Sequence, residues 1–280
     1  MRILIADDHA VVRHGLKHIL AEAFKRAFFG EAANAQQTLE RVWKEPWDIV
    51  ILDLTMPGRN GLEVLKEIKQ AAIPVILTDR KVDVSDPSLY ATFIGADFVD
   101  EGKRAADWLA KATGGKATIA QLEGSPGAAP AIDRKKGFEE ALKQYPDMKI
   151  VKSQSGEFTR AKGREVMETF LKSPEGKQIN ALYAHNDDMA LGAIQAIQEA
   201  GLKPGVDIKI VSIDGVKGAF VAMVAGSLNC TVECSPLLGP QLFDAAQALA
   251  AKKPVEKRIV TSTGVFEQKT AAEDIKTRKY

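Results

Sequence analysis

The run Ile49-Val50-Ile51-Leu52, with Asp48 before it and Asp53 after it, constrains this chain more than any other stretch. Apolar, mostly β-branched residues in an unbroken row leave no polar face for water, so the strand they form is covered on both sides. A strand of that kind belongs in a parallel sheet with helices above and below. The pattern repeats: Arg2–Ala6 (R-I-L-I-A), a weaker F-F-G-E near Phe28, Pro74–Thr78 (P-V-I-L-T) and Ala91–Gly95 read as further strands. Helical spacing fills the intervals. Val12, Leu16, Ile19 and Ala23 make one apolar face. Leu39, Val42 and Trp43 make another behind an Asn34/Gln37 capping box, and Leu62, Leu65 and Ile68 a third behind Asn60/Glu63. The alternation predicts an α/β fold, doubly wound about parallel sheets.

The second half repeats that order. Strands are expected at Ala117–Leu122, Met148–Lys152, Ala181–Ala184, Ile208–Ile213 and Leu228–Glu233, separated by amphipathic helices. Gly201 and Gly226 stand where helices end in a left-handed residue, and Ser235-Pro236 reads as an N-cap with its first helical residue. At 280 residues the chain has room for two lobes, each with its own core. Residues 1–97 with 235–263 are expected to form lobe 1, completed by a helix over 235–251 and a strand over 257–262. Residues 98–234 with 264–280 are expected to form lobe 2.

Composition excludes several function classes. A net charge of +1 gives no footing for nucleic acid or an anionic membrane. No apolar run spans a bilayer, and Met1-Arg2 leads straight into the first strand, which predicts a cytoplasmic protein. Cys230 and Cys234, about 13 Å apart on an extended strand, are too distant for a disulfide and read as free thiols. No enzymatic signature is present: G-x-S-x-G, H-E-x-x-H, a Walker loop and a dinucleotide fingerprint are all missing. G-S-P-G-A-A-P (124–130) lacks the Lys-Ser/Thr of a phosphate loop, and no histidine forms a triad with a serine. The chain reads as a binding protein and not an enzyme, with no cofactor required.

In a doubly wound sheet, function gathers beyond the carboxyl ends of the strands. Asp7 and Asp8 follow the first strand and Asp53 ends the third. Carboxylates converging there repel unless a hard cation lies between them, and Mg²⁺ suits the set. D-D-H (7–9), V-V-R-H-G-L, G-E-A-A-N and D-L-T-M-P-G-R-N-G (53–61) together resemble the receiver domain of bacterial response regulators over about Arg2–Gln70. The resemblance implies Asp53 as phosphoacceptor, Mg²⁺ held by Asp7, Asp8 and Asp53, the Thr55 backbone assisting, and His9 and His14 as surface residues. It fails further on. Thr78 stands one residue early for the family's hydroxyl, and Ala96 or Asp97 occupies the place of the lysine after the fifth strand.

A second polar set ends the other strands: Asp79 and Arg80, Asn186, Asp214 and Glu233, with Arg134 at a helix start and Phe158 in a loop. Carboxylates, amides and guanidinium forks satisfy hydroxyls as both donors and acceptors, and an aromatic face covers a sugar's C–H side. Asp187, Asp188 and Arg160 read instead as helix-cap or surface ion-pair residues. P-V-I-L-T-D-R (74–80), A-I-D-R-K-K-G-F (131–138), S-Q-S-G-E-F-T-R-A-K-G (153–163), Y-A-H-N-D-D-M-A-L-G-A (183–193), V-S-I-D-G-V (211–216) and T-V-E-C-S-P (231–236) carry a resemblance running from Pro74 to Tyr280. It is to the sugar-binding proteins of bacterial ABC importers, in the ribose and galactofuranose branch. The resemblance implies a type I periplasmic-binding-protein-like fold of two flavodoxin-like or Rossmann-like lobes. It also implies sugar contacts from Asp79, Arg80, Arg134, Phe158, Asn186, Asp214 and Glu233.

Joined, the two resemblances read as an engineered chimera with its seam in helix 62–72. On that reading no natural function is expected. Sugar binding is weakened or lost, because three acidic residues from the receiver-like segment would face the sugar. Native importer or kinase partners would not be engaged. One alternative is retained pentose or galactofuranose binding as an importer's solute receptor; the other is a Mg²⁺-dependent phosphoacceptor.

Overall fold

The computed structural model describes residues 1–54, 56, 59, 61–78 and 86–280, the side chains of residues 23 and 87 aside. They fall into two compact units, Met1–Ala96 with Pro236–Thr261, and Asp97–Ser235 with Ser262–Tyr280. Unit 1 opens with β1 (Arg2–Ala6), α1 (Ala10–Ala23), β2 (Phe28–Ala32), α2 (Ala35–Lys44), β3 (Ile49–Leu52), α3 (Gly61–Gln70), β4 (Val75–Thr78) and β5 (Thr92–Gly95). Unit 2 follows with α4 (Phe98–Thr113), β6 (Lys116–Glu123), α5 (Ala129–Leu142), β7 (Asp147–Ser155), α6 (Arg160–Lys172), β8 (Ala181–Ala184), α7 (Asp187–Glu199), β9 (Lys209–Asp214), α8 (Lys217–Val224) and β10 (Cys230–Glu233). The chain re-enters unit 1 as α9 (Gly239–Ala250) and β11 (Arg258–Val260), then unit 2 as β12 (Val265–Glu267) and α10 (Ala271–Asp274).

Unit 1 carries a sheet in the order β11-β5-β4-β3-β1-β2, parallel throughout. Alternate residues of each strand feed opposite cores, as the two-residue pleat requires. Leu4, Val50, Leu52 and Leu77 pack with Leu39 of α2 and Leu65 of α3. Ile3, Ile5, Ile49, Ile51 and Ile76 pack on the other face with Leu20 of α1 and Leu242 of α9. This double burial is why β3 needs an unbroken apolar run.

Unit 2 repeats the plan in the order β12-β10-β9-β8-β6-β7. Ala120, Leu122, Leu182 and Ile210 face α6, α7 and α8, whereas Ile119, Tyr183, Val211 and Val232 face α4 and α5. The α/β, doubly wound reading is therefore right, with one amendment: β12 runs antiparallel to β10. Three residues, V-F-E, the first exposed and the other two half-buried, carry too little pattern to announce an edge strand.

Local signals fared unevenly. Asn34 caps α2 by accepting from the Gln37 N–H (2.9 Å), and Gln37 Oε1 accepts in return from the Ala33 N–H (2.9 Å). Gly201 (φ 78°) and Gly226 (φ 82°) do end their helices left-handed. Ser235-Pro236 does not start one; α9 begins at Gly239 with Leu238 as its N-cap. Pro240, in the first turn, is the proline whose missing N–H the helix does not need. Trp43, assigned to the apolar face of α2, is 56% exposed, because Ala35, Thr38, Leu39 and Val42 fill that interface. Asn60 of the second capping box lies outside the described residues.

Candidate functional site

Arg134 organises the carboxyl ends of the unit 2 strands. Its position in the second turn of α5 places it under α4, where glycines let the helices touch. A Cβ on Gly102 would lie 2.2 Å from the Arg134 carbonyl oxygen, and one on Gly137 2.0 Å from that of Val99. The guanidinium is buried. Nε donates to Glu101 Oε2 (2.8 Å), Nη1 to the His185 carbonyl (2.7 Å) and Nη2 to Asp214 Oδ1 (3.3 Å). Burial alone would pull its pKa down; the charges of Glu101 and Asp214 reverse that and raise it. Arg134 is thus a fixed cation whose planar fork is aimed by protein acceptors.

Asp214 ends β9 with φ 126°, a left-handed-side conformation that an L residue adopts only when its surroundings impose it. The imposition is visible. The Asp187 carboxylate, wholly buried, accepts from the Gly215 N–H (2.8 Å), the Val216 N–H (2.9 Å), Ser212 Oγ (2.5 Å) and Thr231 Oγ1 (2.8 Å). Burial, and then the charge of Asp214, raises the Asp187 pKa to about 7. The Asp214 side chain itself keeps 30% of its surface exposed.

Phe158 sits where two successive residues, Glu157 (φ 54°) and Phe158 (φ 61°), adopt the same disfavoured half of backbone space. Its ring lies so close over Gly124 that a Cβ there would meet it at 2.0 Å. Ser155 Oγ donates to the Gly124 carbonyl (2.7 Å) and accepts from the Glu157 N–H (3.2 Å), tying the loop to the end of β6. Asn186 caps α7: Oδ1 accepts from the Met189 N–H (3.0 Å) and Nδ2 donates to the Phe158 carbonyl (3.0 Å). Between them lies His185, whose Nδ1 accepts from the Gly124 N–H (3.3 Å) and whose Nε2 faces the Gln121 amide (3.0 Å). Burial, then the charges of Arg134 and Lys135, holds the His185 pKa down at about 3.

Glu233 is engaged differently from the expectation of a direct sugar contact. Oε1 accepts from Arg278 Nη2 (2.8 Å) and Tyr280 Oη (2.8 Å), and Oε2 from the Gly264 N–H (3.2 Å). Its carboxylate holds the last residues of the chain. Asp79, Arg80 and Thr55 lie outside the described residues. Arg160 and Asp188 form the surface ion pair expected of them, at 2.7 Å. Asp187 does not fit the surface-or-cap reading: an acid at the start of a helix gives no sign in sequence that hydroxyls from β9 and β10 will converge on it.

In unit 1, ligand atoms of Asp7, Asp8, His9 and Asp53 lie within 4.8 Å of one another at the ends of β1 and β3. Asp7 and Asp53 are buried and His9 is exposed. The His9 N–H donates to Asp7 Oδ1 (2.7 Å), and His9 Nδ1 is 3.0 Å from Asp8 Oδ1. Burial first, with the Asp53 and Asp8 charges adding, raises the Asp7 pKa against the pull of the His9 N–H. Oxygen donors in this number fit a hard cation. The lysine of a phosphoryl site is missing here as in the sequence, since β5 is followed by Ala96 and Asp97.

Residues 26–254 match the model of the periplasmic binding protein domain family. The chain belongs to that family. The galactofuranose-binding protein YtfQ of Escherichia coli (strain K12) is 50% identical over 268 residues, covering 92% of this chain and 84% of YtfQ. Among solved structures, the periplasmic binding protein of the arabinose ABC transporter from Shewanella sp. ANA-3, bound to α- and β-L-arabinofuranose, superposes with a TM-score of 0.87. It is 42% identical and covers 100% of this chain and 96% of its own. A Mycobacterium smegmatis protein in complex with β-D-fucofuranose gives 0.85 at 41% identity, covering 100% and 95%.

Membership in the periplasmic binding proteins corrects the joined reading. A chain half identical to a galactofuranose-binding protein over 92% of its length conflicts with the expectation of no natural function. The family match begins at Arg26, well inside the receiver-like stretch, so the likeness does not start at a seam in helix 62–72. The cytoplasmic assignment likewise finds no support in a family described as periplasmic. Among the described residues, no helix is long and apolar enough to cross a membrane.

Proposed function

We propose that the chain is a solute receptor for a sugar in its furanose form, bound at the carboxyl ends of the unit 2 strands. The observation that carries this reading is the Arg134–Asp214 pair: a buried guanidinium fork fixed by Glu101 and the His185 carbonyl, beside a half-exposed carboxylate held in a strained backbone. Vicinal hydroxyls need a donor fork and an acceptor side by side, set before the ligand arrives. Arg134 donates, Asp214 accepts, and Phe158 covers the apolar side of the ring. Asn186 contributes through the groups its cap leaves to it. Glu233 supports the site through Arg278. Identity to furanose-binding relatives supports the ligand class, and their importer names support a membrane importer as partner and a periplasmic place of work.

Isothermal calorimetry with L-arabinose, D-galactose and D-fucose tests the reading. Binding of at least one at micromolar affinity is expected, and its loss in Arg134→Lys. A folded protein giving no heat with any of the three sugars overturns it.

The carboxylate cluster supports a second reading, confined to unit 1. We infer a divalent-cation site formed by Asp7, Asp8 and Asp53. Oxygen donors from three carboxylates suit a hard cation such as Mg²⁺. A rise in melting temperature with Mg²⁺ that is lost in Asp53→Asn would support the site; a melt indifferent to Mg²⁺ would remove it.

A further inference from the structure

Arg278 lies near the end of the chain, far in sequence from any residue assigned to the sugar. Its side chain is 9% exposed, and the guanidinium lies among the rings of Phe220, Phe266 and Tyr280, with Cζ 4.5–4.9 Å from their centroids. Two directed bonds leave this aromatic seat. Nη2 donates to Glu233 Oε1 at the end of β10, and Nε donates to the Gly215 carbonyl (2.9 Å) at the end of β9. The next residue but one continues the hold, since the Lys217 N–H donates to the Tyr280 carbonyl (2.8 Å). Gly215 is shaped for this grip. At φ 78° it favours glycine, and a Cβ on it would lie 2.6 Å from Arg278 Nη2.

The turn Asp214-Gly215-Val216 is therefore held at both kinds of backbone group. Asp187 takes the N–H groups of Gly215 and Val216; Arg278 takes the carbonyl of Gly215. The peptide gripped by both is Gly215–Val216, one removed from Asp214. The peptide directly after Asp214 is held by Asp187 and Thr231 at the Gly215 N–H and by the Cys234 N–H at the Asp214 carbonyl. The φ of 126° at Asp214 costs free energy unless these neighbours are immobile. Loss of Arg278 would free the Gly215 carbonyl and loosen the Gly215–Val216 peptide, and the slack would pass through Gly215 to the strained Asp214 and its carboxylate beside Arg134.

We propose that Arg278, with Asp187, is a positioning residue for Asp214, so that the C-terminal segment sets the geometry of the sugar site without touching the sugar. The proposal rests on the sugar reading above. Its test is a double-mutant cycle between Arg278→Met and Asp214→Ala, read by calorimetry with whichever of L-arabinose, D-galactose and D-fucose the unaltered protein binds best. Arg278→Met is expected to weaken binding tenfold or more in the parent, and by less than twofold in the Asp214→Ala background. Arg278→Lys, which keeps the charge but not the fork, should fall between parent and Arg278→Met; it carries the cycle if the methionine variant does not fold.

Equal losses in both backgrounds overturn the proposal, since a purely structural residue weakens binding regardless of Asp214. So does a folded Arg278→Met within twofold of the parent. If the parent binds none of the three sugars, the sugar reading falls first and this inference falls with it.

Discussion

Arg134 and Glu101 form an ion pair at 2.8 Å with side-chain exposures of 4% and 0%, joining α5 to α4 beneath the strand ends. So complete a burial makes each partner dependent on the other. Arg134→Met would leave the Glu101 carboxylate and the His185 carbonyl without their donor, at a cost of about 3–5 kcal/mol in stability. The double variant Arg134→Met/Glu101→Leu should recover much of that loss in chemical denaturation, while sugar binding stays absent. A double variant no more stable than the single one would refute this account of the pair.

His185 links stability to acid. Its pKa is about 3 in the fold against 6.5 in a free chain, with burial as the main cause. Protons therefore bind the unfolded state first as pH falls below 6.5. The stabilisation is whole above that pH and is lost toward pH 3, by up to about 1.4 kcal/mol per pH unit. Asp187 and Glu101, raised by burial, act with the opposite sign and take up protons in the folded state. The informative quantity is thus a difference. The stability advantage of the parent over His185→Asn, measured from pH 7 to pH 5, should shrink as pH falls.

Close helix contact makes Gly102 a second lever on Arg134. Gly102→Ala drives a methyl group against the α5 backbone at Arg134 itself, so about 1–3 kcal/mol of stability should go, with a measurable loss of sugar affinity. Gly15→Ala in α1 is the natural control. Nothing lies within 4 Å of its prospective methyl, and alanine favours a helix by about 0.5–1 kcal/mol, so thermal stability should rise.

The acidic cluster of unit 1 gives a prediction of the same kind for charge. Asp7 and Asp53 repel across a buried gap, so Asp7→Asn should raise the melting temperature in metal-free buffer, keeping the Oδ1 acceptor for the His9 N–H. Mg²⁺ at millimolar concentration should raise the melting temperature of the parent and do less for Asp7→Asn. A parent melt indifferent to Mg²⁺ would remove the cation reading.

What the sequence made legible follows from how many residues carry each signal. β3 and β8 announce themselves because every side chain in them is apolar and every side chain is buried. β12 does not, because an edge strand of three residues pairs through its backbone and leaves little pattern. Arg134, Asp214 and Phe158 stand inside motifs, at a helix, a strand end and a loop, so sequence alone can single them out. Arg278 escaped notice because its partners, Gly215 and Glu233, lie 63 and 45 residues away in sequence. Asp187 was misjudged for a related reason: its carboxylate is judged in sequence by its own helix, but its bonds run to β9, β10 and the turn between β9 and α8.

The order in which unit 2 is completed has a consequence for how the protein comes into being. β12 and Arg278 reach unit 2 only after the chain has supplied α9 and β11 to unit 1. During synthesis, β9 and β10 therefore emerge long before the residues that line their edge and hold their turn. Neither unit can reach its final form as an isolated N-terminal fragment, and contacts so far apart in sequence slow folding. A nascent chain of this design stays incompletely folded until its last segment appears, which gives any factor that requires an unfolded substrate the whole of translation in which to act.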